Sequence, residues 1–161
     1  MKVPALFGLS IVMSFVAFGL VAKIYIVPRL RMQRRDDALL PLVVPHTFRF
    51  VGLSFLIPGV VFPELSRAFA APAAYGDLVA AILAIFATLA LSARASWSTA
   101  AVWFLNVWGT ADLLFAFYQG QIGIGIGPGS LGAAFFIPTV VVPPLLITHA
   151  LMFWLLLRTE R

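Results

Sequence analysis

The chain has 161 residues, 62% of them apolar and only 11% charged, with a formal net charge of +5. A soluble domain is roughly 45–50% apolar and about 25% charged, and a small globule has too much wet surface to hide the excess, whereas in a bilayer the exterior is hydrocarbon. The absence of cysteine excludes disulfides, thiolate metal sites, iron–sulfur clusters and thiol redox chemistry. The basic residues, nine of eleven being arginine, fall mainly between apolar runs, a pattern of membrane orientation and not of nucleic-acid contact.

The first apolar run covers residues 4–27. It exceeds the roughly 7–15-residue apolar core of a signal peptide and ends in a basic cluster, so it reads as a membrane helix, with Lys23 near its end able to snorkel to the interface. Ser10, Ser14 and Ala17 or Phe18 line one side of it as a helix-contact stripe. The segment PRLRMQRRDDAL, 28–39, is the one strongly polar loop, and anionic lipid headgroups attract such residues by about 1 kcal/mol per Lys or Arg. The second run covers 40–62 and the third 75–92, where Ala80, Ala84 and Thr88 repeat at the spacing that lets another helix approach closely. A turn over Arg94 to Ser98 leads to the fourth run, 99–119; a glycine-rich stretch, 120–132, leads to the fifth, 135–157.

Each run must be helical, because an open strand in hydrocarbon leaves backbone donors and acceptors unpaired, and the runs are too long and too uniformly apolar for barrel strands of about 10 alternating residues. The expectation is an all-α fold: one integral membrane domain over 1–161, a bundle of about five transmembrane helices. Arg29, Arg31, Arg34, Arg35 and Lys23, then Arg94, then Arg158 and Arg161, fall at one end; Lys2 and Arg67 fall at the other. Lys and Arg accumulate on the cytoplasmic face, which predicts an outside N-terminus and a cytoplasmic C-terminus, in a bacterial inner membrane.

A charge near the bilayer centre costs roughly 2.5–3.5 kcal/mol on insertion scales, so each needs a partner, water or a function. Arg49 lies at the middle of the second run, in HTFRFVGLSF, and at α-helical spacing His46, Arg49 and Leu53 share a face. Asn106 and Asp112 flank the middle of the fourth run with Gly109 between them, and His149 follows Thr148 in the fifth. At about 1.5 Å per residue, Arg49, Asn106 and His149 come out at similar depth, with Asp112 about 7–8 Å farther out and within reach of an arginine. The sequence therefore predicts an Arg49–Asp112 pair ringed by His46, Asn106 and His149. Asp77 reads as a first-turn residue of the third helix near the outer interface, where a carboxylate complements the helix dipole.

Interhelical polar bonds in membranes contribute only about 0.6 kcal/mol on average, so stability alone is a weak reason to bury an arginine. The leading expectation is binding or transport of a small or amphipathic solute, Arg49 neutralising an anionic group, Asp112 holding Arg49 when the pocket is empty, and Asn106, His46 and His149 orienting the ligand or relaying protons. A second reading is a membrane enzyme or electron carrier in which His46 and His149 ligate a haem iron axially, with Asp112 or Glu64 completing any alternative metal site. A third is an accessory or assembly subunit, or a homo-oligomer, whose polar residues face a partner helix. FLIPGVVFPEL, 55–65, and FFIPTVVVPPL, 135–145, share residues in register, as an inverted repeat with proline-broken helices would. The Gly–Ile alternation from Gly123 reads as a flexible outer loop, a re-entrant segment being the alternative.

Overall fold

The computed structural model describes residues 2–158; Arg161, counted above among the basic residues of one end, lies outside them. Five helices are long and apolar enough to cross a membrane: α1 Val3–Arg31, α2 Arg35–Leu56, α3 Arg67–Ser92, α4 Ser98–Gly123 and α5 Ile137–Leu157. There is no strand among the described residues.

Proline shapes three of these helices. A proline cannot donate to the carbonyl four residues earlier and its ring crowds that carbonyl. In α1 the backbone widens into a π turn over Ala22–Ile26, just ahead of Pro28. In α5 a π turn over Ile137–Val141 precedes Pro143 and Pro144. In α2, Pro41 and Pro45 remove donors one turn apart, and the α-helical part, Arg35–Val43, gives way to a 3₁₀ helix over Val44–Leu56. That stretch has 13 residues, where 3₁₀ runs longer than about 3–4 residues are uncommon.

α3 is the central helix. Ala70, Ala73, Ala74, Ala80, Ala81, Ala84, Ala87 and Ala90 are all buried, and α2 and α4 both pack along this small-residue face. α1 is peripheral and packs on α5; of its 3–31 span only Phe7, Ala22 and Leu30 are buried, while Ser10 and Ser14 are half-buried and Ala17 is exposed.

The buried side chains form three layers. One apolar layer holds Phe55, Phe69, Ala73, Leu113, Ile137 and Leu145. The other holds Leu39, Val43, Ala84, Leu105 and Met152. Among the described residues, six of the eight buried polar ones fall in sequence between the two, with members in α2, α3, α4 and α5: His46 and Arg49, Asp77, Asn106, and Thr148 and His149; Ser98 and Thr139 lie outside this band. At one end Arg94 Nη2 approaches Asp37 at 3.7 Å. At the other, Phe62 N–H donates to the Ser130 carbonyl at 3.0 Å and Ala133 N–H to that of Val60 at 2.8 Å, with Phe7 edge-on to Phe135. The loops thus group as the alternation of a five-helix hairpin series requires.

Several sequence boundaries shift. The polar loop over 28–39 shrinks, since α1 continues to Arg31 and α2 begins at Arg35. α2 ends at Leu56, before 62, and the chain turns through Gly59 at φ +86°. α3 begins at Arg67 and not at residue 75, because the alanine-rich stretch before Tyr75 is helical despite Pro72. The glycine-rich 120–132 stretch is folded: a π turn over Gln119–Gly123 is followed by a 3₁₀ segment, Pro128–Phe135, that buries Leu131 and Ala134. Gly132 (φ 53°, ψ −132°) occupies a backbone region essentially restricted to glycine, and a Cβ there would overlap the Val60 carbonyl. The two proline-containing segments do not share a backbone form: the first leaves the helix at Ile57 (φ −94°, ψ 115°), the second winds through a π turn.

Candidate functional site

A 3₁₀ helix has about three residues per turn, so residues i and i+3 eclipse. In α2 this aligns His46, Arg49, Gly52 and Phe55, and these four are the buried residues of the stretch. The α-helical expectation that Leu53 shares this face is corrected accordingly: Leu53 is only half-buried, and Gly52 takes its place in the row.

Arg49, 1% exposed, reaches three helices. Its Nε donates to Asp77 Oδ1 of α3 at 2.7 Å, its Nη2 to Asp112 Oδ2 of α4 at 2.6 Å, and its Nη1 to the Gly109 carbonyl of α4 at 3.1 Å. His149 Nε2 of α5 lies 3.5 Å from Nη1. The two bonds to carboxylates are charge-assisted bonds of the short kind, and the guanidinium fork serves both as an ammonium could not.

The imidazoles are fixed on both sides of the arginine. His149 Nδ1 lies 2.6 Å from Asn106 Oδ1, which makes Nδ1 the donor and turns the Nε2 lone pair toward Arg49. His46 Nε2 lies 2.9 Å from Thr148 Oγ1. That hydroxyl already has the Leu145 and Pro144 carbonyls at 2.9 and 3.1 Å, so its single proton goes to α5 and it accepts from His46. His46 Nδ1 and Asn106 Nδ2 are buried without a hydrogen-bond partner among the described residues.

Three glycines make the charged contacts possible. A Cβ on Gly52 would overlap the Asp77 carboxylate; one on Gly76 would overlap that of Asp112; one on Gly109 would lie 2.7 Å from both Arg49 Nη1 and His149 Nε2. The Gly76 carbonyl also accepts from Trp108 Nε1 at 3.3 Å. Each of α2, α3 and α4 thus omits a side chain where a neighbour's charged group rests.

All five residues singled out in the sequence, Arg49, Asp112, Asn106, His46 and His149, meet in this layer. Asp77, read there as a first-turn residue near the outer interface, is instead 7% exposed and is Arg49's second carboxylate, because α3 starts well before it. The signal was present: three and four residues before Ala80, on the stripe of Ala80 and Ala84, stand Asp77 and Gly76.

The haem reading does not fit these residues. The His46 and His149 rings stack with centroids 4.1 Å apart, which leaves no gap for a porphyrin and its iron between them, and three of their four nitrogens face Thr148, Asn106 and Arg49. Among the described residues no three His, Cys, Asp or Glu side chains are grouped to hold a metal ion, and Glu64 stays in the exposed turn after α2.

Asp77 and Asp112 also line a cavity of about 60 Å³, with Phe55, Phe69, Phe117, Gly120, Ile126 and Leu131 among its other walls. That is room for a few waters or a small ligand group. Ile126 and Leu131, from the folded α4–α5 connection, form part of its outer wall. Phe55 also lines a wider groove at the same end of the bundle, with Pro58, Val60, Arg67 and Gly132.

Residues 6–157 match a family described as Domain of unknown function (DUF8737). The chain belongs to that family. No curated protein and no solved structure matches it. The DUF8737 match spans all five helices and every residue of the polar layer.

Proposed function

We propose that the chain is an integral membrane protein, of a bacterial inner membrane, that binds and translocates a small or amphipathic solute at the cavity beside Asp77 and Asp112. The topology that accompanies this reading has the N-terminus outside and the C-terminus cytoplasmic, on the positive-inside rule.

The observation that carries the reading is the pairing of an apolar cavity with two carboxylates at mid-bundle. Intramembrane ionisable groups mark solute and ion paths by default, and a site with mostly apolar walls and a few polar anchors is the usual form of a ligand pocket. The geometry revises the solute's expected charge. Arg49 is occupied by Asp77, Asp112 and the Gly109 carbonyl and is not among the residues facing the cavity. The groups offered to a ligand are the carboxylates, which select a cationic or hydrogen-bond-donating head; Phe55, Phe69 and Phe117 suit an apolar or quaternary portion. The accessory-subunit reading is the less favoured, since His46, Arg49, Asn106 and His149 are buried against one another within this one chain.

The test uses an occluding variant that leaves the carboxylates alone. Ala116, half-buried, lines the cavity. In proteoliposomes, Ala116→Phe is expected to abolish uptake of labelled methylammonium while retaining the helical content and thermal transition of the parent. Uptake by the parent that Ala116→Phe leaves intact contradicts the pocket.

A further inference from the structure

The charge of the polar layer does not balance. Its titratable and charged side chains are His46 and Arg49 from α2, Asp77 from α3, Asp112 from α4 and His149 from α5. Among the described residues α1 adds none, its Lys23 being exposed. The bonds to Thr148 and Asn106 suit neutral imidazoles, each donating from one nitrogen. Arg49 then stands against two carboxylates, and the layer sums to one negative charge. An uncompensated charge held between apolar layers costs several kcal/mol, and such sites take up a proton or a counter-ion instead.

We infer that the Asp77–Asp112 pair holds one proton while the cavity lacks a cation, and that a cationic solute head displaces that proton one for one. The second half rests on the solute-binding reading; the first does not. The structure provides the place for the exchange. Each carboxylate gives one oxygen to Arg49, Asp77 Oδ1 and Asp112 Oδ2, and keeps the other, and both residues face the same cavity. A proton on either remaining oxygen brings the layer to neutrality. An ammonium entering beside them supplies the same single charge, so the carboxyl O–H bond breaks, its electron pair stays on the oxygen and the proton leaves to water as the ion pair forms. Proton and solute exclude each other because the layer accommodates only one extra positive charge.

Two measurements on the full chain in lipid nanodiscs test this. Calorimetric titration with methylammonium in buffers of different ionisation enthalpy is expected to show one proton released per ligand bound, with affinity rising about tenfold per pH unit while the protonated form predominates. Infrared difference spectra of the parent protein, in water and in deuterium oxide, are expected to show a buried protonated carboxyl that is absent from Asp112→Asn and from Asp77→Asn. Methylammonium binding without proton release overturns the exchange and leaves the solute site standing. No methylammonium binding, but a carboxyl band lost in the two variants, removes the solute site and retains the resident proton. Absence of the band from the parent overturns the resident proton, whatever the variants do.

Discussion

The three glycines around Arg49 offer the sharpest test of the packing. An added Cβ on Gly109 would stand 2.7 Å from Arg49 Nη1 and from His149 Nε2, where ordinary contact begins near 3.4 Å, so one of these groups must retreat by about 0.7 Å. Neither is a free end. Arg49 is held at 2.6 and 2.7 Å by two carboxylates, and His149 is held at 2.6 Å by Asn106. A retreat of that size stretches at least one charge-assisted bond past useful length, a loss of roughly 1.5–3 kcal/mol. Against this, glycine to alanine inside a helix gains about 1 kcal/mol. Gly109→Ala is therefore expected to lower stability by about 0.5–2 kcal/mol net, and Gly76→Ala, whose Cβ meets Asp112, by at least as much. Gly8→Ala and Gly19→Ala in α1 are the controls: a Cβ there meets nothing within 4 Å, so they should be neutral or more stable by up to about 1 kcal/mol. Unfolding in mixed micelles with rising SDS, followed by circular dichroism, reads all four variants on one scale. If Gly109→Ala and Gly76→Ala unfold with Gly19→Ala, the close approach of these side chains is wrong and so is the site built on it.

Arg49→Lys keeps the charge but not the fork, so it cannot serve Asp77, Asp112 and the Gly109 carbonyl together; a loss of about 1–3 kcal/mol is expected. In a double-mutant cycle, Arg49→Gln with Asp112→Asn should recover at least about 1 kcal/mol relative to the summed singles, and strictly additive losses would count against the pair. Orientation can be read because the chain has no cysteine: single-cysteine variants Glu64→Cys and Arg94→Cys, in exposed loops at opposite ends, are expected to differ, with an impermeant maleimide labelling the first and not the second in intact cells. The reverse pattern inverts the topology.

Much of the layer was legible in one dimension because mid-run polar residues are rare in apolar sequence, and helix rise turns position into depth. That sufficed to group Arg49, Asp112, Asn106, His46 and His149. It did not reach Asp77, since Pro72 in AAPAA reads as a helix breaker while the surrounding alanines keep α3 helical through it. Nor did it reach the direction of Arg49's charge. An arginine alone suggests an anionic ligand, and the proposed preference for a cationic one rests on the second carboxylate, Asp77.

By itself the sequence determined the number and approximate span of the helices and the loops that carry the positive charge, because backbone groups shut away from water must bond within their own segment. Tertiary structure decided which residues touch. Past Pro45 the chain tightens from about 3.6 to about 3.0 residues per turn, and that small change of period swings Gly52 into the row of His46 and Arg49 and leaves Leu53 aside. Two prolines that break the ladder, Pro41 and Pro45, are the local part of the change; the rest lies in neighbouring helices, whose glycines leave room for a guanidinium between two carboxylates.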